Sequence, residues 1–416
     1  MRAIVASGLA LFGLTLWPNE SIIQLLHLGG LLESNPLRVS YELVAQCKIF
    51  ASAVCLVVIA YCCRVDGARA LHGFWSGVLR DRAVLFWLFA ILLVSNQFLR
   101  PAIWDGNLID GLGGFYANLS LNPFHGIDSN WFYRRAFMPL LAHLLQLKGP
   151  LLFGVFSLAL SAVLMVLFKH ILDRIHRFGF VELLALFTMS LVNFSFLQIG
   201  YPDVLVAIIL LASIFLDMQT RTRVALFALA LLTHDMAAIV LFPYLLLFTN
   251  TRRLPVLALA GGYTAFWLAS FGFSWTRLVA SQDTPALWRM VPDFFDMYLL
   301  SFVPALGFAW VAFLIHLVQP WKHQKIWWQN LTLVLCVVVL SLLGTDTGRF
   351  AALLLLGCLT LWQTRGINRF DLWLIRLSLL LVPFFSGIGQ RSLYVPDLLL
   401  AIHRWLDLPS FGFRLL

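Results

Sequence analysis

A few ionisable residues in this sequence stand beside long apolar runs, in spacings that suit acid–base work or phosphate binding. Asp110 precedes Gly111, Gly113 and Gly114, so its backbone can bend and its side chain can approach a ligand closely. Asp128 follows on the same segment, and Arg134 and Arg135 close it in FYRRAFMPLLAHLL. His234 and Asp235 interrupt the apolar stretch 223–249, and Asp346 stands three residues before Arg349 in GTDTGRF (344–350). A carboxylate can take the proton of an attacking hydroxyl as general base. A guanidinium matches a phosphate through two parallel hydrogen bonds. An ionisable group close to lipid costs a few kcal/mol unless it is paired or wet, so each of these residues is a functional candidate. Each also has a plainer reading. Asp203, in Gly-Tyr-Pro-Asp, suits helix capping, and Asp346 with Arg349 suits an intrahelical ion pair. Arg134 and Arg135 suit headgroup contacts, and Trp131, Phe132 and Tyr133 suit interfacial anchoring.

The elements that must hold these residues follow from composition. Of 416 residues, 61% are hydrophobic and only 12% charged, against about 45–50% and about 25% in ordinary globular domains. Such a chain has too little polar surface for a water-facing body. Cytosolic enzymes, nucleic-acid modules, secreted disulfide scaffolds and disordered regulators are excluded. The net charge of +9 forms no basic face, because the positives fall in ones and twos between apolar runs, so no nucleic-acid partner is expected. The six cysteines lie in or beside apolar stretches with no CxxC pair, as small hydrophobes rather than ligands or disulfides. The apolar run after Met1–Arg2 could be a signal peptide, but no convincing cleavage site precedes Pro18, which favours a retained first helix.

A crossing helix needs about 20 apolar residues. Runs between charges predict all-α integral-membrane architecture with about eleven spans, at 3–17, 46–63, 83–99, 150–168, 180–198, 203–218, 254–273, 296–318, 326–343, 350–364 and 370–387. The stretch 223–249 reads as a broken helical hairpin meeting at His234–Asp235. More than half of the 29 Lys and Arg then fall on one side, among them Arg64, Arg80, Lys169, Arg177, Arg252, Lys322 and Arg369. That side is expected to be cytoplasmic. The opposite face carries the segment 99–149, where Phe115, Tyr116, Leu119, Leu121 and Phe124 suggest an amphipathic interfacial helix. Five cytoplasmic acids (Asp66, Asp81, Asp173, Asp217, Asp371) have Arg or Lys nearby and read as charge balance. The whole of 1–416 is expected to be a single polytopic domain, with extra spans in 1–82, a core over 83–364, and a span and tail from 365.

An outer acid, an aromatic amphipathic stretch and an Arg-bearing FYRRAFMPLLAHLL resemble the first outer loop of the GT-C superfamily of polytopic glycosyltransferases. LALLTHDMAAIVLFP (229–243) is similar to a short broken helix pair in many bacterial members. GTDTGRF resembles an Asp–Arg signature of bacterial surface-polysaccharide membrane proteins, including Wzy-like polymerases. The resemblance covers roughly 83–364. It departs from the family in having two extra spans before the acid and no clear second catalytic acid.

The resemblance implies transfer of a sugar from a polyprenyl-phosphate donor to a glycan, lipid or protein acceptor, on the outer face of a bacterial cytoplasmic membrane. It implies Asp110 as base, with Asp128 and Asp105 as substitutes. Arg134, Arg135, His234 and Arg349 would hold the donor phosphate, with Asp235 and Asp346 beside them. Some members use a divalent ion, but no two outer acids here are spaced as ligands, so no metal and no cofactor is expected. Competing expectations are a Wzy-type polymerase, a proton-coupled transporter or flippase built on His234–Asp235, and a non-catalytic export subunit. Acids gathered toward one face, without an inverted repeat, favour an enzyme over alternating access.

Overall fold

Long apolar runs with few internal prolines leave the backbone one way to satisfy its N–H and C=O groups away from water, which is the helix. The computed structural model describes residues 1–28, 37–97, 109, 112–124, 135–269, 305–318, 324–343, 347–379, 386–388 and 392–394. Apart from a short antiparallel pair, Ser386–Ile388 with Ser392–Tyr394, the regular structure among these residues is helical. The helices Tyr41–Arg69 and Pro150–Ile175 are long and apolar enough to cross a membrane, and a bent pair over 180–197 makes a third if counted as one span. Other apolar helices, such as Arg2–Leu16 and Asp203–Phe215, are shorter than a full crossing.

The chain divides into two compact units, each assembled from three separated segments. The first comprises Met1–Gly73, Leu108–Ala159 and Ile199–Asp283. Here α1 (Arg2–Leu16) is followed by α2 (Asn19–Leu28) and by the start of α3 (Leu37–Gln97). Then come α4 (Leu112–Leu121), α5 (Phe137–Leu144) and the start of α6 (Pro150–Ile175). In this unit α1 packs on Thr220–Thr233 and Arg253–Ala269. Gly8 makes both contacts close, since a Cβ there would lie 2.7 Å from Leu259 and 3.2 Å from Ala228.

The second unit comprises Phe74–Asn107, Leu160–Gln198 and Thr284–Leu416. It contains the ends of α3 and α6, then α7 (Phe180–Thr188) and α8 (Ser190–Leu197). Its C-terminal elements are Ala309–Leu317, Gln324–Leu343, Thr347–Ala352, Leu354–Arg365 and Arg369–Ser378. A buried amide pair, Asn96 Nδ2 donating to Asn193 Oδ1 at 2.6 Å, ties α3 to α8.

Four expected spans differ in the structure. The runs 46–63 and 83–99 are not separated by a loop: they lie on either side of a helix break at Asp81 (φ −108°, ψ 17°) within α3. The charged stretch between them contains no proline, so nothing in it forces the helix to end. The run 180–198 divides at Met189 (φ −64°, ψ 147°), where α7 and α8 meet at 65°. At the break Thr188 Oγ1 donates back to the Leu184 and Ala185 carbonyls at 3.0 and 2.9 Å, a back-bond of the kind that bends helices. The run 370–387 is not one helix, since Arg369–Ser378 has only 10 residues and a strand occupies Ser386–Ile388.

Candidate functional site

The break expected inside 223–249 falls at His234: α10 (Thr220–Thr233) ends before it and α11 (Asp235–Leu247) begins after it, the two helices packing together. His234 is extended (φ −170°, ψ 139°) and caps α11, its Nδ1 accepting from Met236 N–H at 3.1 Å. With Nδ1 an acceptor, the neutral ring carries its proton on Nε2 and offers a single N–H donor. Against this hairpin packs α9 (Asp203–Phe215). Its N-cap is Pro202, so Asp203 is the first helical residue rather than the cap. There its carboxylate still meets the positive end of the helix dipole.

The turn before α9 is held by backbone contact. Gly200 has φ +89°, which favours glycine, and its N–H donates to Ser157 Oγ at 2.8 Å. A Cβ on Gly113 would lie 2.2 Å from the Ile199 carbonyl oxygen, and one on Gly200 would lie 3.2 Å from the Gly113 Cα. The sequence suggests that the Gly-rich stretch after Asp110 lets a ligand approach. In the structure Gly113 admits the chain at Ile199–Gly200. This docking presses α4 inward, so Tyr116 is fully buried, as are Ala117 and Leu119. The surface-lying helix expected from Phe115 to Phe124 is thus part of the core on its Tyr116 side.

Tyr201 is buried at the centre of the resulting cluster. Arg135 Nη1 donates to the Tyr201 hydroxyl at 3.3 Å. The Tyr116 ring meets Tyr201 edge to face at 5.5 Å between centroids, and the His234 ring lies 6.4 Å from Tyr201. Arg135, His234 and Asp203 are only 6%, 5% and 9% exposed. Burial pushes the Tyr116 phenol well above its usual range, nearby Tyr201 and Asp203 push the same way, and the charge and hydrogen bonding of Arg135 oppose them. The phenol therefore stays protonated. A buried guanidinium requires compensation, and Asp203 brings a carboxyl to the same cluster. The cluster presents one cationic fork, two phenols, one imidazole and one carboxyl. That set suits an anionic, oxygen-rich group. Among the described residues no group of three or more His, Cys, Asp or Glu converges as metal ligands would.

Of the residues singled out from sequence, the structure brings Arg135 and His234 together, although they are far apart in the chain. Asp235 opens α11. Arg349 lies in the short helix Thr347–Ala352 of the other unit. Asp105, Asp110, Asp128, Arg134 and Asp346 lie outside the described residues. Sequence reasoning gave Tyr116 only to an interfacial helix and did not single out Tyr201. The one signal available was Gly-Tyr-Pro-Asp, a turn that must present its tyrosine next to an acid. No protein family, curated protein or solved structure matches this chain.

Proposed function

We propose that the chain is a polytopic membrane glycosyltransferase. In this reading the membrane-spanning helices and the broken hairpin hold an outward-facing site that transfers a sugar from a polyprenyl-phosphate donor to a glycan, lipid or protein acceptor. The observation that supports it is the gathering of Arg135 and His234, from the outer segment and the hairpin, around Tyr201 and Asp203. An anion in a buried site is held best by preorganised donors, and Arg135 with the Nε2–H of His234 supplies them for the donor phosphate. The acceptor hydroxyl oxygen attacks the anomeric carbon and the bond from that carbon to the phosphate oxygen breaks. The electron pair leaves with the phosphate, where the guanidinium meets the growing charge. Asp110 takes the hydroxyl proton.

The test is to incubate purified protein with labelled polyprenyl-phosphate sugars and follow release of the lipid phosphate. Asp110→Asn keeps the shape of the carboxyl but cannot accept the proton, so turnover should fall by about 10²–10⁴ with donor binding retained. Asp105→Asn and Asp128→Asn are the controls on the same segment. Full activity in all three would remove the general base from this segment. A protein that moves protons or lipid without cleaving the donor would return the competing transporter reading.

A further inference from the structure

The helix α17 (Arg369–Ser378) sorts its residues cleanly. Asp371, Leu374, Ile375 and Ser378 are buried, while Arg369, Phe370, Trp373 and Arg376 are exposed on the opposite face. Its inner side is fixed by a capping box in which Asp371 N–H donates to Asn368 Oδ1 at 2.8 Å, and by Arg365 donating to Asp371 at 2.6 Å. On its outer side Phe370 and Trp373 are 47% and 56% exposed. Their rings stack at 6.2 Å and 22°. Two large rings stacked in the open between two arginines make a poor water-facing surface, but they suit the bilayer interface, where rings sit at headgroup level and guanidinium groups meet phosphate. Ten residues rise about 15 Å, half the hydrocarbon thickness of about 30 Å. The helix cannot cross, and it has the pattern of one that lies flat.

Beside it is a cavity of about 520 Å³ between α17 and the turn 176–179 that leads into α7. Arg177 and Arg376 both line it. Among the described residues Arg177 makes no hydrogen bond or ion pair. Arg376 gives Nε to Glu182 Oε1 at 2.6 Å and pairs it through Nη2 as well, which leaves part of its fork uncommitted. Two guanidinium groups against one carboxylate give the cavity a net positive charge. Phe180 and Val181, also exposed, extend the apolar surface next to it.

We infer that α17 is an interfacial helix and that the Arg177–Arg376 cavity takes the phosphate of an anionic phospholipid. Charge complementarity and the exposed ring stack favour a lipid over a free anion, because only a lipid supplies phosphate and apolar surface together. Charge alternation places this side at the cytoplasmic leaflet, where anionic lipids concentrate. The inference rests on the membrane assignment and not on the sugar chemistry, so failure of the glycosyl-transfer assay leaves it standing.

The test is native mass spectrometry of the full chain in mild detergent, titrated with phosphatidylglycerol or phosphatidylcholine. The wild type should retain phosphatidylglycerol preferentially, and Arg177→Ala should lower that retention by about fivefold. Arg177→Ala with Arg376→Ala should abolish the preference, and Trp373→Ala should reduce retention of both lipids. If loss of the Glu182 pair unfolds the double variant, Arg177→Ala decides alone, with its melting temperature as the control. Equal retention of the two lipids by the wild type would overturn the inference. So would an unchanged Arg177→Ala, or displacement of phosphatidylglycerol by excess inorganic phosphate.

Discussion

Arg135 is the residue whose loss should separate binding from folding. Its guanidinium meets the Tyr201 hydroxyl, and a charge-assisted contact to phosphate contributes about 1.5–3 kcal/mol. Arg135→Ala should therefore lower kcat/KM for the lipid donor about tenfold or more, while Arg135→Lys, which keeps charge but not the fork, falls between. Tyr201→Phe keeps the ring contacts with Tyr116 and His234 and removes only the hydroxyl, so its loss should be the smaller one. Equal loss in Tyr201→Phe and Arg135→Ala would make the phenol, not the guanidinium, the principal donor. Arg135 and His234 were legible in the sequence because ionisable groups in apolar surroundings stand out. Tyr116 and Tyr201 were not, since in a chain that is 14% aromatic a tyrosine is core or anchor by default. Asp203 was ambiguous between cap and chemistry; the structure makes it the first residue of α9, close enough to Tyr116 to act on its phenol.

Helices in this chain are positioned by small contacts and by charge. Gly113→Ala puts a methyl against the Ile199 carbonyl, where a Cβ would lie at 2.2 Å. Backbone cannot yield as a side chain does, so the change should cost at least about 1–3 kcal/mol, read as a lower melting temperature in detergent. At the kink of α3, Arg80 bridges Asp81 and Asp173, and Lys169 reaches Asp173 at 2.6 Å and Asp81 at 3.3 Å. Burial acts to raise the Asp81 carboxyl, but hydrogen bonds and charge from Arg80 and Lys169 outweigh it and hold the group below the usual carboxylate range. The unfolded chain then binds this proton first as pH falls. The contribution of Asp81 is complete above about pH 4 and is lost as pH drops through the lowered folded value. Melting temperatures followed down to about pH 3 should show a shallower acid limb in Asp81→Asn than in wild type. The break at His234 could be read from the charged pair that interrupts an apolar run. The break at Met189 could not, because Thr188-Met189-Ser190 carries neither glycine nor proline.

At the scale of the whole molecule, composition and pattern together give the fold class: 12% charged residues point to lipid, and long unbroken apolar runs, without the alternation of barrel strands, point to helices. Which side each loop occupies is a separate matter, set by the Lys and Arg pattern. Cysteine-accessibility labelling, in a background without the native cysteines, should find Asp110→Cys and Arg252→Cys on opposite sides. Finding them on the same side would sink the outward-facing site along with the topology. The interleaving of the two units could not be read from sequence, since no linker or composition shift marks where one gives way to the other. It has a consequence during translation. The first unit has all its segments by Asp283, whereas the second waits for Thr284–Leu416. At about 5–20 residues per second that wait is on the order of ten seconds. Through it Glu182, only 8% exposed in the finished fold, is already synthesised while Arg376, which neutralises it there, has yet to leave the ribosome. Until its partner arrives, the nascent chain must keep that acid at the wet headgroup level, where Arg177 lines the same cavity.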